Sequence, residues 1–326
     1  LTLAGALAVV FLVADADSTL FLYTDRLVVG VVGLIVLVPT VALFVIGRAL
    51  EEAGFDVAEA GDGVDGLARW RAMPTAFRIV LGGFITGYLV LRLGVFLELG
   101  GKSANIVLDD ADLGASLLSA LAVCFHAGQG CALNTRLLIP RDRQAEAEEL
   151  LKTYFGFITY GDPASEGEIM GPLVNARQRE RVLAYIEKGK EEGARLLLGG
   201  GIPGHLNKGF YVEPTVFVDV TNDMTIAREE IFGPVLAVIA YDSEDDAVRI
   251  ANDSDFGLSG SVWAGSEARG VALARRIRAG TVNVNGGNFY GPDAPFGGYK
   301  QSGIGREMGP EGFEEYLETK TIAVAV

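Results

Sequence analysis

The chain changes vocabulary abruptly near residue 97. Residues 1–97 contain no Asn, Lys, Gln, His or Cys, whereas Lys102 and Asn105 open a second part in which all five occur. The first part carries nine acids and six arginines, a formal −3, which leaves −12 of the total −15 for residues 98–326. So sharp a shift divides the chain into an apolar N-terminal segment, 1–97, and a charged, regularly patterned remainder.

Within the first part, residues 27–47 read LVVGVVGLIVLVPTVALFVIG, 21 residues without a charge. That length suits a helix crossing a bilayer. The Val and Ile content, with Pro39 as a break, suits two buried strands of a parallel sheet equally. Further on, Gly61, Gly63 and Gly66 have G-x-G-x-x-G spacing between FDVAEA and LARWRAM. Strand, glycines and helix in that order fit a dinucleotide loop, but Asp62 and Asp65 would set like charge against a pyrophosphate. An ordinary turn between strand and helix is the simpler reading.

Composition excludes several classes of function. A net charge of −15 repels nucleic acid, so none is expected as a partner. Cys124 and Cys131 are the only cysteines and cannot build a disulfide framework, so a reducing, cytoplasmic setting is expected. Were 27–47 to span, the catalytic part would instead be membrane-anchored, facing the cytoplasm. With two histidines and no Cys-x-x-Cys, no metal site is expected.

Residues 98–326 alternate helical and strand periods, as an α/β domain does. The periods predict helices at 113–126, 143–154, 176–192, 244–252 and 267–278. Strands are predicted at 194–198, 215–219, 235–241, 260–264 and 281–284. Asp109, Asp110 and Asp112 precede the first helix, where acids oppose the helix dipole.

Two residues stand out chemically. Cys131 lies in HAGQGCALN, on a glycine-flanked loop where substrate can reach a thiol and a backbone N–H is free to meet an oxyanion. Cys124, inside an apolar helix, reads as a core residue. Glu98, in VFLELGGKS, sits between an apolar run and a Gly-Gly turn. Such surroundings disfavour its charge and suit a general base, the alternative being an edge carboxylate paired with Lys102.

The ordered motifs ELGGKS (98–103), GQGC (128–131), GPL (171–173), EEIFGPV (229–235) and PFGGYKQSGIGRE (295–307) resemble the NAD(P)-dependent aldehyde dehydrogenase family. The resemblance covers about residues 97–326. It implies an α/β catalytic domain over 98–300 and a tail over 301–326, whose strand-like TKTIAVAV joins a neighbouring sheet in a homo-oligomer. The atypical apolar segment replaces a full Rossmann-type half. Carried over residue by residue, the resemblance makes Cys131 the nucleophile and Glu98 the general base. Glu230 and Phe232 match the residues that hold the nicotinamide ribose and ring of NAD or NADP. Asn285, Phe289 and Phe296 fall in the loop lining the aldehyde entrance. The implied activity is oxidation of an aldehyde to a carboxylic acid through a cysteine thiohemiacetal and thioester. The family's upstream asparagine and lysine have no counterpart, since no Asn precedes Asn105 and no Lys precedes Lys102. A catalytically inactive relic that binds or oligomerises is therefore the alternative expectation.

Overall fold

The computed structural model describes residues 96–287 and 291–324. Chain contacts divide the protein into two compact units, Leu1–Val95 and Phe96–Val326, and every described residue belongs to the second. The uncharged run 27–47, the Gly61–Gly66 loop and Phe289 lie outside the described residues. Among the described residues, no helix is long and apolar enough to cross a membrane.

The second unit is built on a seven-stranded sheet. Its strands are β2 (Ser103–Val107), β3 (Asn134–Pro140), β4 (Arg195–Leu198), β5 (Thr215–Val218), β6 (Val235–Tyr241), β8 (Ser259–Trp263) and β9 (Thr281–Val284), in the order β4-β5-β6-β3-β2-β8-β9. Every neighbouring pair is parallel except β4 with β5. A parallel sheet must be covered on both faces, and this one is. Helix α1 (Leu113–Ala120) meets one face, where Asn105 Nδ2 donates to Ser119 Oγ at 2.9 Å. Helix α5 (Glu244–Asn252) meets the other, where Arg136 reaches the carbonyls of Ile250 and Ala251.

The helices form where the periods predict. Helix α2 (Gln144–Phe155) buries Ala147, Leu151 and Phe155, a spacing of four that makes one apolar stripe. Helix α3 (Ala176–Glu191) starts at Asn175, whose side chain accepts from the Gln178 amide and satisfies an otherwise orphan donor. Ser243 and Ser266 cap α5 and α6 (Glu267–Ala274) in the same way. Asp112 caps α1, while Asp109 and Asp110 pair with Arg269. A one-turn helix α4 (Thr225–Arg228) leads to β6, and α7 (Gly309–Glu314) is the last helix of the described tail. From there to residue 324 the chain pairs with no strand of its own.

Two differences from the expectation matter. The helix read over 113–126 is α-helical only to Ala120 and continues as a 3₁₀ turn over Leu121–Gly128. The two central strands, β2 and β3, were not among those predicted. They carry Ser103, Asn105, Asn134, Thr135 and Arg136 into the sheet, so their text lacks an unbroken apolar run.

Arg136 explains how such polar text is buried. It is 2% exposed, and its guanidinium donates to Lys102 O at 2.9 Å and to Asn222 Oδ1, Ile250 O and Ala251 O, each at 3.0 Å. A planar fork that meets four acceptors ties β2, α5 and the turn before α4 to β3. Burial lowers its pKa to about 10, which leaves it charged at neutral pH.

Four two-residue strands complete the frame: β7 (Phe256–Gly257) with β10 (Tyr299–Lys300), and β1 (Leu97–Glu98) with β11 (Gly303–Ile304), both antiparallel. At Gly303, φ is 130° and a Cβ would stand 1.7 Å from Leu97 O. Only glycine lets the C-terminal chain lie against the strand that carries Glu98.

Replacing Arg136 by Leu leaves three buried carbonyls without a donor. The expected loss is about 3 kcal/mol or more of unfolding free energy, read from the urea midpoint. A midpoint within experimental error of the unsubstituted chain would show that the four hydrogen bonds are dispensable.

Candidate active site

Three loops meet at the amino ends of β2, β3 and β6: Glu98–Lys102, Gly128–Leu133 and Glu229–Pro234. The 3₁₀ turn ends with Phe125 extended and His126, Ala127 and Gly128 at φ of 53°, 54° and 73°. Three successive left-handed residues swing the chain out of the helix and back toward β3. A Cβ on Gly128 would stand 2.1 Å from the Gly233 carbonyl, so this loop rests directly on the backbone of the EEIFGPV motif. Gln129 fixes it further: Nε2 donates to His126 O, and Oε1 accepts from Val174 N, both at 2.9 Å. Cys131 follows, half-buried, three residues before β3.

Glu230 reaches the same place from the other loop. Its Oε1 accepts from Gly101 N at 2.9 Å, and a Cβ on Gly100 would come within 2.5 Å of its Oε2. A Cβ on Gly101 would meet Cys131 O at 2.7 Å. The Gly100–Gly101 turn is thus wedged between the Glu230 carboxylate and the Cys131 peptide.

The charges of the site act on one another. Burial pushes the Cys131 thiol up, and Glu98 and Glu230 push it further; its own N–H and that of Ala132 act in the opposite direction. Two carboxylates therefore face one thiol. The Glu98 carboxyl is raised by burial and then by Glu307, although the residue as a whole is exposed. No Glu98–Lys102 pair forms: Lys102 is 1% exposed and its Nζ has no hydrogen-bond partner. Glu230 is raised by burial, offset by the Gly101 N–H, Lys102 and Arg181.

Three residues that sequence reasoning missed hold the second loop in place. From one face of α3, Gln178 Nε2 donates to Ile231 O at 3.2 Å and Phe232 O at 2.8 Å. Arg181 donates to Glu230 O at 2.8 Å, and Tyr185 donates to Glu229 Oε2 at 2.6 Å. Their spacing of three and four is ordinary helical periodicity, so nothing in the text distinguished them from a solvated face. Phe232, clamped through its carbonyl, has φ of 59° and remains 36% exposed, with its ring available for contact.

Of the expected entrance residues, Phe296 belongs to this end of the sheet. It exchanges backbone hydrogen bonds of 2.7 Å with Glu307 and lines a cavity of about 110 Å³ with Leu97, Glu98 and Ile304. Asn285 does not. It follows β9 at the opposite, carboxyl end, where its Oδ1 accepts from Ala264 N at 2.8 Å.

The family model for the aldehyde dehydrogenase family matches residues 92–322. The chain belongs to the aldehyde dehydrogenase family. It is 48% identical over 234 residues to a betaine aldehyde dehydrogenase of Rhizobium etli, which covers 71% of this chain and 48% of the relative. With a betaine aldehyde dehydrogenase of Brucella anthropi it shares 43% identity over 293 residues, 86% of this chain and 60% of the relative. That longer alignment takes in residues before 92. Among solved structures, an aldehyde dehydrogenase of Mycobacterium tuberculosis complexed with NAD+ is 49% identical, with a TM-score of 0.67 over 71% of this chain and 48% of that one. An aldehyde dehydrogenase C variant of Pseudomonas syringae, complexed with NAD+ and octanal, gives 46% identity and a TM-score of 0.68, covering 73% and 50%. The chain spans about half the length of the curated relatives it matches.

The two thiols of this aldehyde dehydrogenase chain differ enough to be told apart in solution. Cys124 is fully buried, with its thiol pushed up to about 12. At pH 7.5, iodoacetamide is expected to alkylate Cys131 at least ten times faster than Cys124, counted by peptide mass spectrometry. Removing a facing negative charge favours the thiolate, so Glu98→Gln should accelerate the labelling of Cys131 several-fold at the same pH. Unchanged or slower labelling would mean that the Glu98 charge does not reach the thiol.

Proposed function

We propose that the chain carries the site that oxidises an aldehyde to a carboxylic acid with NAD or NADP, Cys131 acting as the nucleophile. The observation that carries this reading is the convergence of Cys131, Glu98 and Glu230 around the Gly100–Gly101 turn in a member of the aldehyde dehydrogenase family.

Cys131 Sγ attacks the carbonyl carbon as thiolate, and the aldehyde oxygen takes the negative charge as the thiohemiacetal forms. The Cys131 N–H donates to that oxyanion. After oxidation the acyl group is a thioester on Sγ. Glu98 removes a proton from a water, which adds to the thioester carbonyl; collapse expels the Cys131 thiolate and frees the acid. The upward shift of the Glu98 carboxyl suits this role, because a stronger base takes a proton from water more readily.

Glu230 and Phe232 fit the cofactor on this chain's own chemistry. With Glu230 Oε1 held by Gly101, Oε2 has acceptor capacity for ribose hydroxyls, and the exposed ring of Phe232 offers an apolar wall for a nicotinamide. The group supplies a hydride acceptor when bound. The NAD+ complexes of the Mycobacterium tuberculosis and Pseudomonas syringae relatives support NAD as the first choice. Phe296, with Phe289 of the same loop, is assigned to the aldehyde entrance; Asn285, at the opposite end of the sheet, is left out of that assignment.

The tail supports assembly into a homo-oligomer. Phe313, Tyr316, Leu317, Ile322 and Val324 are between 56% and 81% exposed, an apolar strip that a second copy would cover. Both cysteines are free thiols, as a cytoplasmic location requires.

Titration calorimetry of the purified chain with NAD+ and NADP+ tests the cofactor assignment. A dissociation constant in the micromolar-to-millimolar range is expected, and heats indistinguishable from dilution would refute it. For the chemistry, Glu98→Gln should slow thioester hydrolysis by about 10²-fold or more while leaving acylation of Cys131 within a few-fold. Equal loss of both steps would remove Glu98 from the role of base.

A further inference from the structure

Two buried serines stand behind the cysteine loop and have no part in the reaction described above. Ser259 is the first residue of β8, and its Oγ lies 2.6 Å from Ala132 O and 2.9 Å from Ser103 Oγ. Both side chains are buried. The register brings them together: parallel pairing of Ala104 with Gly260 puts Ser103 beside Ser259 where β2 and β8 begin. A serine hydroxyl has one proton and two lone pairs, whereas a carbonyl oxygen can only accept. The Ser259 proton therefore goes to Ala132 O, and Ser103 must supply the proton between the two serines. The result is a directed chain, Ser103 Oγ to Ser259 Oγ to Ala132 O, in which each donor polarises the next.

The acceptor at its end is the peptide that follows the reactive cysteine. Leu133 N donates to Gly130 O at 3.3 Å, so Gly130–Leu133 is a turn with Cys131 and Ala132 in its middle. The Ala132–Leu133 peptide is thus held at both polar ends, its N–H by Gly130 and its carbonyl by Ser259. Because a peptide is planar, holding both ends leaves the middle of the turn little freedom to rotate. The preceding peptide is confined by Gly101, on which a Cβ would stand 2.7 Å from Cys131 O and 3.4 Å from Ser103 Oγ. Gln129 anchors the loop before Cys131, and Ser259 supplies the corresponding anchor after it.

We infer that Ser259 is a positioning residue for Cys131: oriented by Ser103, its hydroxyl pins the Ala132 carbonyl and so fixes the turn that carries the thiol. What this means for catalysis rests on the reading of Cys131 as the nucleophile; the hydrogen-bonded relay itself does not. Glu98 and Glu230 face the thiol and oppose its ionisation, while the N–H groups of Cys131 and Ala132 act the other way. A released turn no longer aims the Ala132 N–H at the sulfur, and both carboxylates stay, so the thiolate becomes harder to form.

The test is the rate at which iodoacetamide alkylates Cys131 in the full chain across about pH 6–10, followed by peptide mass spectrometry. Ser259→Ala is expected to move the midpoint of that profile up by about half a pH unit and to slow labelling at pH 7.5 about threefold. Ser103→Ala acts only through Ser259, so it should shift the profile less, and in a Ser259→Ala background it should add nothing. Ser261→Ala is the control: it removes a hydroxyl of the same strand that accepts from Asn134 Nδ2 at 2.7 Å, and it should leave the profile in place. An unmoved profile in Ser259→Ala, an equal shift in Ser261→Ala, or additive effects of the two relay serines overturns the inference. Should Ser259→Ala fail to fold, Ser103→Ala decides: a shift in the same direction beyond that of Ser261→Ala supports the relay, and none overturns it. In single turnovers, Ser259→Ala should slow acylation about threefold and leave KM for NAD+ within about twofold. A raised KM with unchanged acylation would place the hydroxyl with the cofactor and overturn the inference. A shifted labelling profile in a chain that oxidises no aldehyde upholds the relay and defeats the catalytic reading instead.

Discussion

The whole site depends on how closely two peptides can approach at Gly100–Gly101. One side of the turn is occupied by the Glu230 carboxylate, the other by the Cys131 carbonyl, and neither leaves room for a Cβ. Because the turn joins β1 to β2, the same contact also sets the distance of Glu98 from both. Gly128 repeats the device from the opposite direction by placing the cysteine loop on Gly233. Three loops from distant parts of the chain are thereby locked to one another through close backbone approach at Gly101 and Gly128 and through the Glu230 carboxylate on the turn. Larger side chains would separate the groups that the chemistry needs together.

Crowding carboxylates around a thiol has an electrostatic cost that the fold distributes. Glu98 and Glu230 both oppose the Cys131 thiolate, so the resting thiol is held protonated. On the thiol itself the amides of Cys131 and Ala132 act in the other direction, while the Gly101 N–H, Lys102 and Arg181 favour the ionised form of Glu230. Helix α3 contributes geometry as well as charge, since Gln178 and Arg181 take up the carbonyls of Glu230, Ile231 and Phe232.

Helices were legible in the sequence because their period survives substitution; Ala147, Leu151 and Phe155 mark α2 whatever surrounds them. The outer strands β5, β6 and β9 were legible as apolar runs. The two central strands were not, because polar residues such as Arg136 are buried there by hydrogen bonds to residues more than a hundred positions away. Of the site, Cys131, Glu98, Glu230, Phe232 and Phe296 could be read from motifs, and the structure brings them to the same end of the sheet. Asn285, read from the same loop, sits at the other end, since β9 runs the length of the sheet between it and the start of the chain's return. Gln178, Arg181 and Tyr185 were illegible: a helical face that clamps a loop and one that faces water are written alike.

The site's position runs against the common rule for open parallel sheets, in which ligands settle outside the carboxyl ends of the strands. Here a cavity of about 400 Å³ does lie at that end, lined by Asp109, Arg141, Asp142, Asp242, Glu244 and Arg269. Apart from Asp142, its charges are spent in ion pairs. Arg141 pairs with Asp242, and Arg269 pairs with Asp109, Asp110 and Glu244. At the amino ends the opposite holds: Glu98 and Glu230 make no salt bridge within 4 Å among the described residues, and their fields act on the thiol instead. Reactive groups need unspent charge. In this sheet that condition is met where the strands begin, because there the short glycine turns keep charged side chains near one another without letting them pair.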